Sequence, residues 1–332
     1  MSVTVYSDSS STITYGDSSG ILKFHAQGLA DVLAVTGSGD VLSIVAVGDA
    51  NSLSGRASGG DDTVSASAFF AEAVGDAFTI SGHARGGDDV VSAAAPGPAT
   101  AIGDAETISG DGWGGDDQVL ASGLGYGDAY LITDRGHGGN DTITNFSGDF
   151  AGQSFGDAAT MSGHARGGDD LLVVHGFGAA IYGDAQTMTG HAQGGNDTLE
   201  APSSTPASVV SALYGDGETL ADRARGGDDV LISGRQADDQ MWGDAAVVGP
   251  HATRGADRFV FAPQNGEDQI MDFQPGKDHI ELDGFGFASF GAVATHFQPT
   301  ADGVLISFDA DDGVLVRNVA VNQLHAADFI LT

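Results

Sequence analysis

Apolar residues recur along the chain at two fixed distances from acids. Four residues beyond a Gly-Asp pair stand Leu53, Ile80, Ile108, Ile132, Met161, Met188, Leu220 and Val248. Two residues beyond a second glycine-preceded Asp stand Leu33, Val64, Val91, Val119, Ile143, Leu172, Leu199, Leu231 and Phe259. Small or polar residues flank each one, the pattern of a short strand with one buried face. Glycine pairs interrupt every stretch before three helical turns could form, so helix is not expected. Strands this short cannot stand alone, but stacked coil upon coil they share one apolar spine. The pattern therefore predicts an all-β protein, a parallel β-solenoid or β-roll of about nine modules over residues 15–257. An N-terminal strand occupies 1–14. A β-rich C-terminal cap covers 258–332, where the module is lost and the alternating strands "VLISF" and "VLVRNV" close an otherwise open sheet end.

The acids set the module. The first landmark is Gly-Asp after an apolar or aromatic residue, with its Asp at Asp17, Asp49, Asp76, Asp104, Asp128, Asp157, Asp184, Asp216 and Asp244. The second is "GGDD" or "GGND", in which Gly60, Gly87, Gly115, Gly139, Gly168, Gly195 and Gly227 precede by two residues Asp62, Asp89, Asp117, Asp141, Asp170, Asp197 and Asp229; degenerate forms end at Asp31 and Asp257. First to second Asp is 13 residues in eight modules and 14 in the earliest, whereas second Asp to the next first varies from 11 to 19. Fixed spacing implies a packed or ligating element, and elastic spacing implies loops on one face, as in "EAPSSTPASVVSALY".

Charge changes the picture. Forty Asp and six Glu stand against 12 basic residues, for a net charge of −34. A merely solubilising surface has no reason to prefer the shorter acid, whereas Asp reaches nearby backbone and metal ions. Such a charge argues against nucleic acid and anionic membranes as electrostatic partners. No window approaches a membrane span. No N-terminal signal peptide is evident. With no cysteine, neither disulfides nor thiolate metal sites staple the fold.

Two consecutive glycines allow φ > 0 and a turn tight enough for carbonyls to converge. An Asp two residues on adds a charged oxygen, and Ca²⁺ takes six to eight such oxygens. Stacked modules would align these acids into columns of like charge that call for a cation between coils. The expected ligands are therefore Asp62, Asp89, Asp117, Asp141, Asp170, Asp197, Asp229 and Asp257 with the glycine carbonyls of each turn, binding several Ca²⁺ ions. For the Gly-Asp landmark (Asp49, Asp76, Asp104, Asp128, Asp157, Asp184, Asp216, Asp244), metal ligation and plain turn formation both stand.

On these residues the chain resembles the repeats-in-toxin (RTX) family of calcium-binding β-roll proteins, whose nonapeptide reads G-G-x-G-x-D-x-U-x with U a large apolar residue. "ARGGDDVVS" places Gly87, Asp89 and Val91 at its fourth, sixth and eighth positions, with Ala84 and Arg85 replacing the first two glycines. Between modules only "GRQADDQMW" keeps the look of a nonapeptide. "ADRFVFAPQNGEDQIMDFQPGKDHIELDGFG" looks like the closing segment of serralysin-type tails, and "GVLVRNVAVNQLHAADFILT" like a type I secretion signal. The resemblance implies folding on calcium, type I secretion machinery as a partner, and a secreted or cell-surface location on a bacterium.

Other motifs have blander readings. "GDSSG" fits G-x-S-x-G, but Ser18 shares its module position with Ala50, Ala77 and Ala105, and no strand–helix context accompanies it. His25, His83, His164, His191 and His251 share a position with Arg56, Asp111 and Arg223, as on a solvated edge. The aromatics before Gly-Asp, from Tyr15 to Trp242, share theirs with Val47, Val74 and Ile102, which favours packing over a sugar-stacking stripe. With module and cap filling the chain, no catalytic domain is expected. The reading is a non-enzymatic surface, matrix or adhesion component; the alternatives are the secretion and folding tail of an RTX protease or lipase, or a membrane-active factor. Eight divalent ions would bring the charge from −34 to about −18, favouring a homo-oligomer, filament or lattice.

Overall fold

The computed structural model describes residues 4–7, 11–37, 42–146, 152–176, 178–203 and 210–332. It is an all-β solenoid of about nine turns built from three sheets, and each turn gives one strand to each sheet. In the turn spanning 70–94, Phe70–Val74 lies in the first sheet, Ala77–Gly82 in the second and Val90–Ala94 in the third. Gly75-Asp76 makes the corner between the first two. Apart from their ends, the sheets are parallel.

Both apolar series pair in register along the axis. Val64, Val91, Val119, Ile143, Leu172, Leu199, Leu231 and Phe259 form one continuous column in the third sheet. Leu53, Ile80, Ile108, Ile132, Met161, Met188, Leu220 and Val248 form another in the second. They do not share one spine, as the pattern suggested. The third-sheet column packs with Ile44, Ala46, Ala71 and their equivalents from the first sheet. The second-sheet column packs with Ala57, Ala84, Ala165 and their equivalents just before the glycine pairs. The cross-section has two main apolar lobes divided by polar groups, and a smaller third cluster, Val47, Val74, Ile102 and the aromatics of the same position, beside the Gly-Asp corner.

The elastic half of the module also differs from its reading as loop. It contains the first-sheet strand, such as Val210–Tyr214, and length variation is confined to the connection between third and first sheets. Small alternating residues (Ala71, Ala73; Ala99, Ala101) bury there without a large apolar marker, so periodicity gave little signal. Part of the longest insertion, 204–209, lies outside the described residues.

At the N-terminus Thr4–Ser7 runs antiparallel to Ser11–Tyr15, with 1–3 and 8–10 outside the described residues. The second sheet stops at Ala245–Val248, while the other two continue into the last 75 residues. There Gly303–Ser307 and Phe297–Pro299 add antiparallel strands to the first sheet, and Phe329–Leu331 ends the third. No helix among the described residues is long and apolar enough to cross a membrane.

Leu172 is fully buried, whereas Leu171 beside it is 40% exposed on the outer face. Leu172→Ala is expected to cost ~2–5 kcal/mol in denaturant unfolding, and Leu171→Ala at most about 0.5 kcal/mol.

Candidate metal sites between the two cores

The divider between the lobes consists of the two predicted acid series. The Gly-Asp corner and the glycine pair meet across each turn because the first Asp accepts from the N–H of the second glycine, eleven residues on: Asp49 from Gly60 at 2.8 Å, Asp76 from Gly87 at 3.0 Å, Asp128 from Gly139 at 2.7 Å, Asp184 from Gly195 at 2.7 Å. Asp104, Asp157, Asp216 and Asp244 repeat the bond to Gly115, Gly168, Gly227 and Gly255. The Gly-Asp landmark thus does form the turn.

The second Asp reaches along the axis instead. The N–H of Asp62 donates to Asp89 Oδ1 at 2.6 Å, that of Asp89 to Asp117 at 2.7 Å, and that of Asp117 to Asp141 at 2.7 Å. The chain of donors continues through Asp170, Asp197, Asp229 and Asp257 to Asp278. Each carboxylate therefore fixes the backbone of the turn before it.

From Asp49 on the Gly-Asp acids are 0% exposed, and from Asp62 on the second-series acids are at most 3% exposed; Asp17 in the earliest module is half-buried. One oxygen of each second-series carboxylate, Oδ2 from Asp62 through Asp257, has no hydrogen-bond partner. Neither has one oxygen each of Asp49, Asp76, Asp128, Asp157, Asp184 and Asp216. Burial is the largest influence on these carboxyls and raises their pKa values; neighbouring carboxylates mostly add to it. Asp62 is pushed up to about 8 and Asp257 to about 10. Asp104 is held to about 7, because burial is partly offset by side-chain hydrogen bonding with Asp76 and Asp128.

The glycine pairs act differently from expectation. Their φ angles are not positive; the left-handed residues are Gly55, Gly82, Gly110, Gly163 and Gly190, with Asp134 and Asp222, at the bend where the second-sheet strand ends. What the pairs supply is space. A Cβ on Gly86 would overlap the carboxylates of both Asp76 and Asp104, and one on Gly87 would overlap the carbonyl of Gly60 in the adjacent turn. A side chain at either position would drive the polar belt apart.

Orphaned carboxyl oxygens in a dry belt, ionised once a cation displaces their protons, are a donor set for a hard cation, and backbone carbonyls crowd the same glycines. Among the described residues, no three His, Asp or Glu side chains converge closely enough to make a cage by themselves. A bound ion would therefore combine carboxylate oxygens from both series with carbonyls of Gly60, Gly87, Gly115, Gly139, Gly168, Gly195 and Gly227.

Sequence reasoning missed several members. Asp278 ends the axial ladder, and Asp272 receives the N–H groups of Gly243 and Asp244. A second belt lies where the third sheet turns into the first. Buried Asp239 donates its N–H to Asp268 at 2.9 Å, and Asn265 and Ser233 also donate to Asp268. Asp239 Oδ1 and Asn265 Oδ1 are orphaned there. "GRQADD" carried a signal for Asp239, whereas Asp268, Asp272 and Asp278 lie where the module has dissolved.

The remaining candidates fall elsewhere. Ser18 pairs with Ala50 in the second sheet, as its module position requires. Tyr126, Phe155, Tyr182, Tyr214 and Trp242 stack on one another at 4.6–5.0 Å, so their faces are largely covered. His83 is exposed, and His164 stacks on His191 at the outer edge, remote from the acids of the belt. Comparison with protein-family models, curated proteins and solved structures found no match.

The raised pKa values fix a pH dependence for the ion-free fold. The folded state binds protons that the unfolded chain releases near 3.8, so stability is greatest below that value and falls as pH rises through the folded values, about 6 for Asp49 to about 8 for Asp62. In excess chelator, β-structure in circular dichroism is expected to be greater at pH 5 than at pH 8. A saturating hard cation should remove that difference and release protons on binding, as calorimetry in buffers of different ionisation enthalpy would detect.

Proposed function

We propose that this chain is a secreted, non-enzymatic structural protein whose solenoid folds when calcium enters the belt between the cores. The observation that carries the reading is the pair of buried Asp columns with one orphaned oxygen on nearly every carboxylate. Left ionised and unneutralised, those columns would repel along the whole length of the rod. The donor chemistry favours calcium: all oxygen, no histidine in the belt, no cysteine in the chain. Magnesium demands near-ideal octahedral geometry and keeps its waters, which suits a dry carbonyl-lined belt poorly. The resemblance to RTX proteins agrees with this choice and with type I export to a bacterial surface or its surroundings. A chain unfolded at cytosolic calcium and folded outside would hold its working form only where it is used.

Circular dichroism with calcium tests the reading. Little β-structure is expected in excess chelator, with a cooperative gain at roughly 0.1–1 mM calcium; a native-like spectrum in chelator at neutral pH would overturn it. Asp89→Ala and Asp170→Ala should each raise the calcium midpoint several-fold, while Ser18→Ala should leave it unchanged.

A further inference from the structure

Basic residues are scarce in this chain, yet seven of its ten arginines lie in the short stretch between the second-sheet strand and the glycine pair or its degenerate form. In "ARGGDD", Arg85 faces outward before the glycines and Asp88 faces outward after them, while Ala84 and Asp89 face inward. Arg166 with Asp169 and Arg225 with Asp228 repeat the arrangement. Backbone bridges from Ser58 through Arg85, Trp113, His137, Arg166, Gln193 and Arg225 to Thr253 hold the first position at the turn-to-turn spacing. The second is held by its own ladder: the N–H of Asp116 donates to Asp88 at 3.1 Å, that of Asn196 to Asp169 at 2.7 Å, and that of Ala256 to Asp228 at 2.7 Å. The two lines of positions run straight along the rod, three residues apart and one turn (~4.8 Å) between neighbours; the first carries Arg at Arg85, Arg166 and Arg225, and the second carries Asp in the same three turns.

These arginines have no ionic partner of their own. None of the ion pairs among the described residues involves Arg85, Arg166 or Arg225. Arg85 lies over the ring of Trp113, which is 38% exposed in a middle turn and stacks on His137 at 3.8 Å. A linear polyanion laid on the basic line would meet the acidic line beside it with no positive charge to set against it, whereas a second copy brings both signs.

We propose that this face binds a second copy of the chain, side by side, with both rods pointing the same way. A two-fold axis parallel to the rods sets the basic stripe of each copy against the acidic stripe of the other. A two-fold axis perpendicular to them would set like against like. In register, Arg85, Arg166 and Arg225 face Asp88, Asp169 and Asp228 of the partner subunit, in both directions at once, with Trp113 as the aromatic anchor. The placement selects the occupant, because a second copy carries Asp88, Asp169 and Asp228 in the same turns as Arg85, Arg166 and Arg225 and so meets all three at once. Exposed ion pairs are individually weak and screened by salt, so the association is reversible and salt-sensitive.

The inference extends the structural-protein reading, and the two fail separately, since circular dichroism on the same samples reports folding. The full chain in saturating calcium is expected to sediment as a dimer at low ionic strength and as a monomer at about 0.5 M salt. The triple variants Arg85→Glu/Arg166→Glu/Arg225→Glu and Asp88→Lys/Asp169→Lys/Asp228→Lys should each be monomeric, and their equimolar mixture should recover a dimer. With Trp242→Phe as background, Trp113 emission should shift blue on association. Should the Asp variant not fold, Arg166→Gln/Arg225→Gln disturbs no hydrogen bond of the fold and should weaken the dimer at least tenfold. A folded wild-type monomer at low salt overturns the proposal, as does a mixture that stays monomeric. Low-salt retention of a folded monomer on a sulfated-polysaccharide column would assign the stripe to a polyanion and overturn it too.

Discussion

The fold depends on keeping two columns of carboxylates, turn above turn, out of water. Burying one ionised carboxylate without a partner is costly, and here the cost recurs in every turn beside like charges. Each acid recovers part of it through one backbone hydrogen bond, and those bonds determine the shape of the turn. The Gly-Asp acid pulls the opposite wall inward to Gly87 and its equivalents, which splits the interior into two lobes. The second acid ties each turn to its neighbour. The same side chains that destabilise the ion-free interior therefore define its geometry, and the apolar columns fill the two spaces left on either side.

The glycines follow from this constraint. A closed belt of carboxylates and carbonyls leaves no room for a Cβ at Gly86 or Gly87. Where the backbone does need the left-handed region, at the outer bend, Asp134 and Asp222 serve as well as glycine. Steric exclusion and conformational freedom are two separate uses of glycine, and this chain places them about four residues apart in each turn.

Much of this was legible from spacing. The 13-residue interval located both acids, and the two apolar columns it predicted are fully buried through nearly their whole length. The lobes were not legible, because a pattern of buried positions does not say which of them share a compartment. The first-sheet strands escaped notice because alanines such as Ala71 and Ala73 carry too little hydrophobic contrast. Asp268 and Asp278 escaped because they serve the belt after the repeat has ended, where no interval points to them. The outward Arg and Asp of "ARGGDD" were visible as letters, but only the alternation of inward and outward side chains makes them stripes.

The axial ladder has a direction. Each second-series Asp supplies the acceptor for the backbone of the preceding turn, and the series ends at Asp278, whose other oxygen is taken by the N–H of Gln274 in its own tight turn. That final acceptor is the one rung completed locally, without another turn beyond it. The ladder is thus closed at its C-terminal end, and the cap is part of the belt as well as of the sheets: a chain lacking residues 258–332 would present Asp257 with a buried N–H and nothing to receive it.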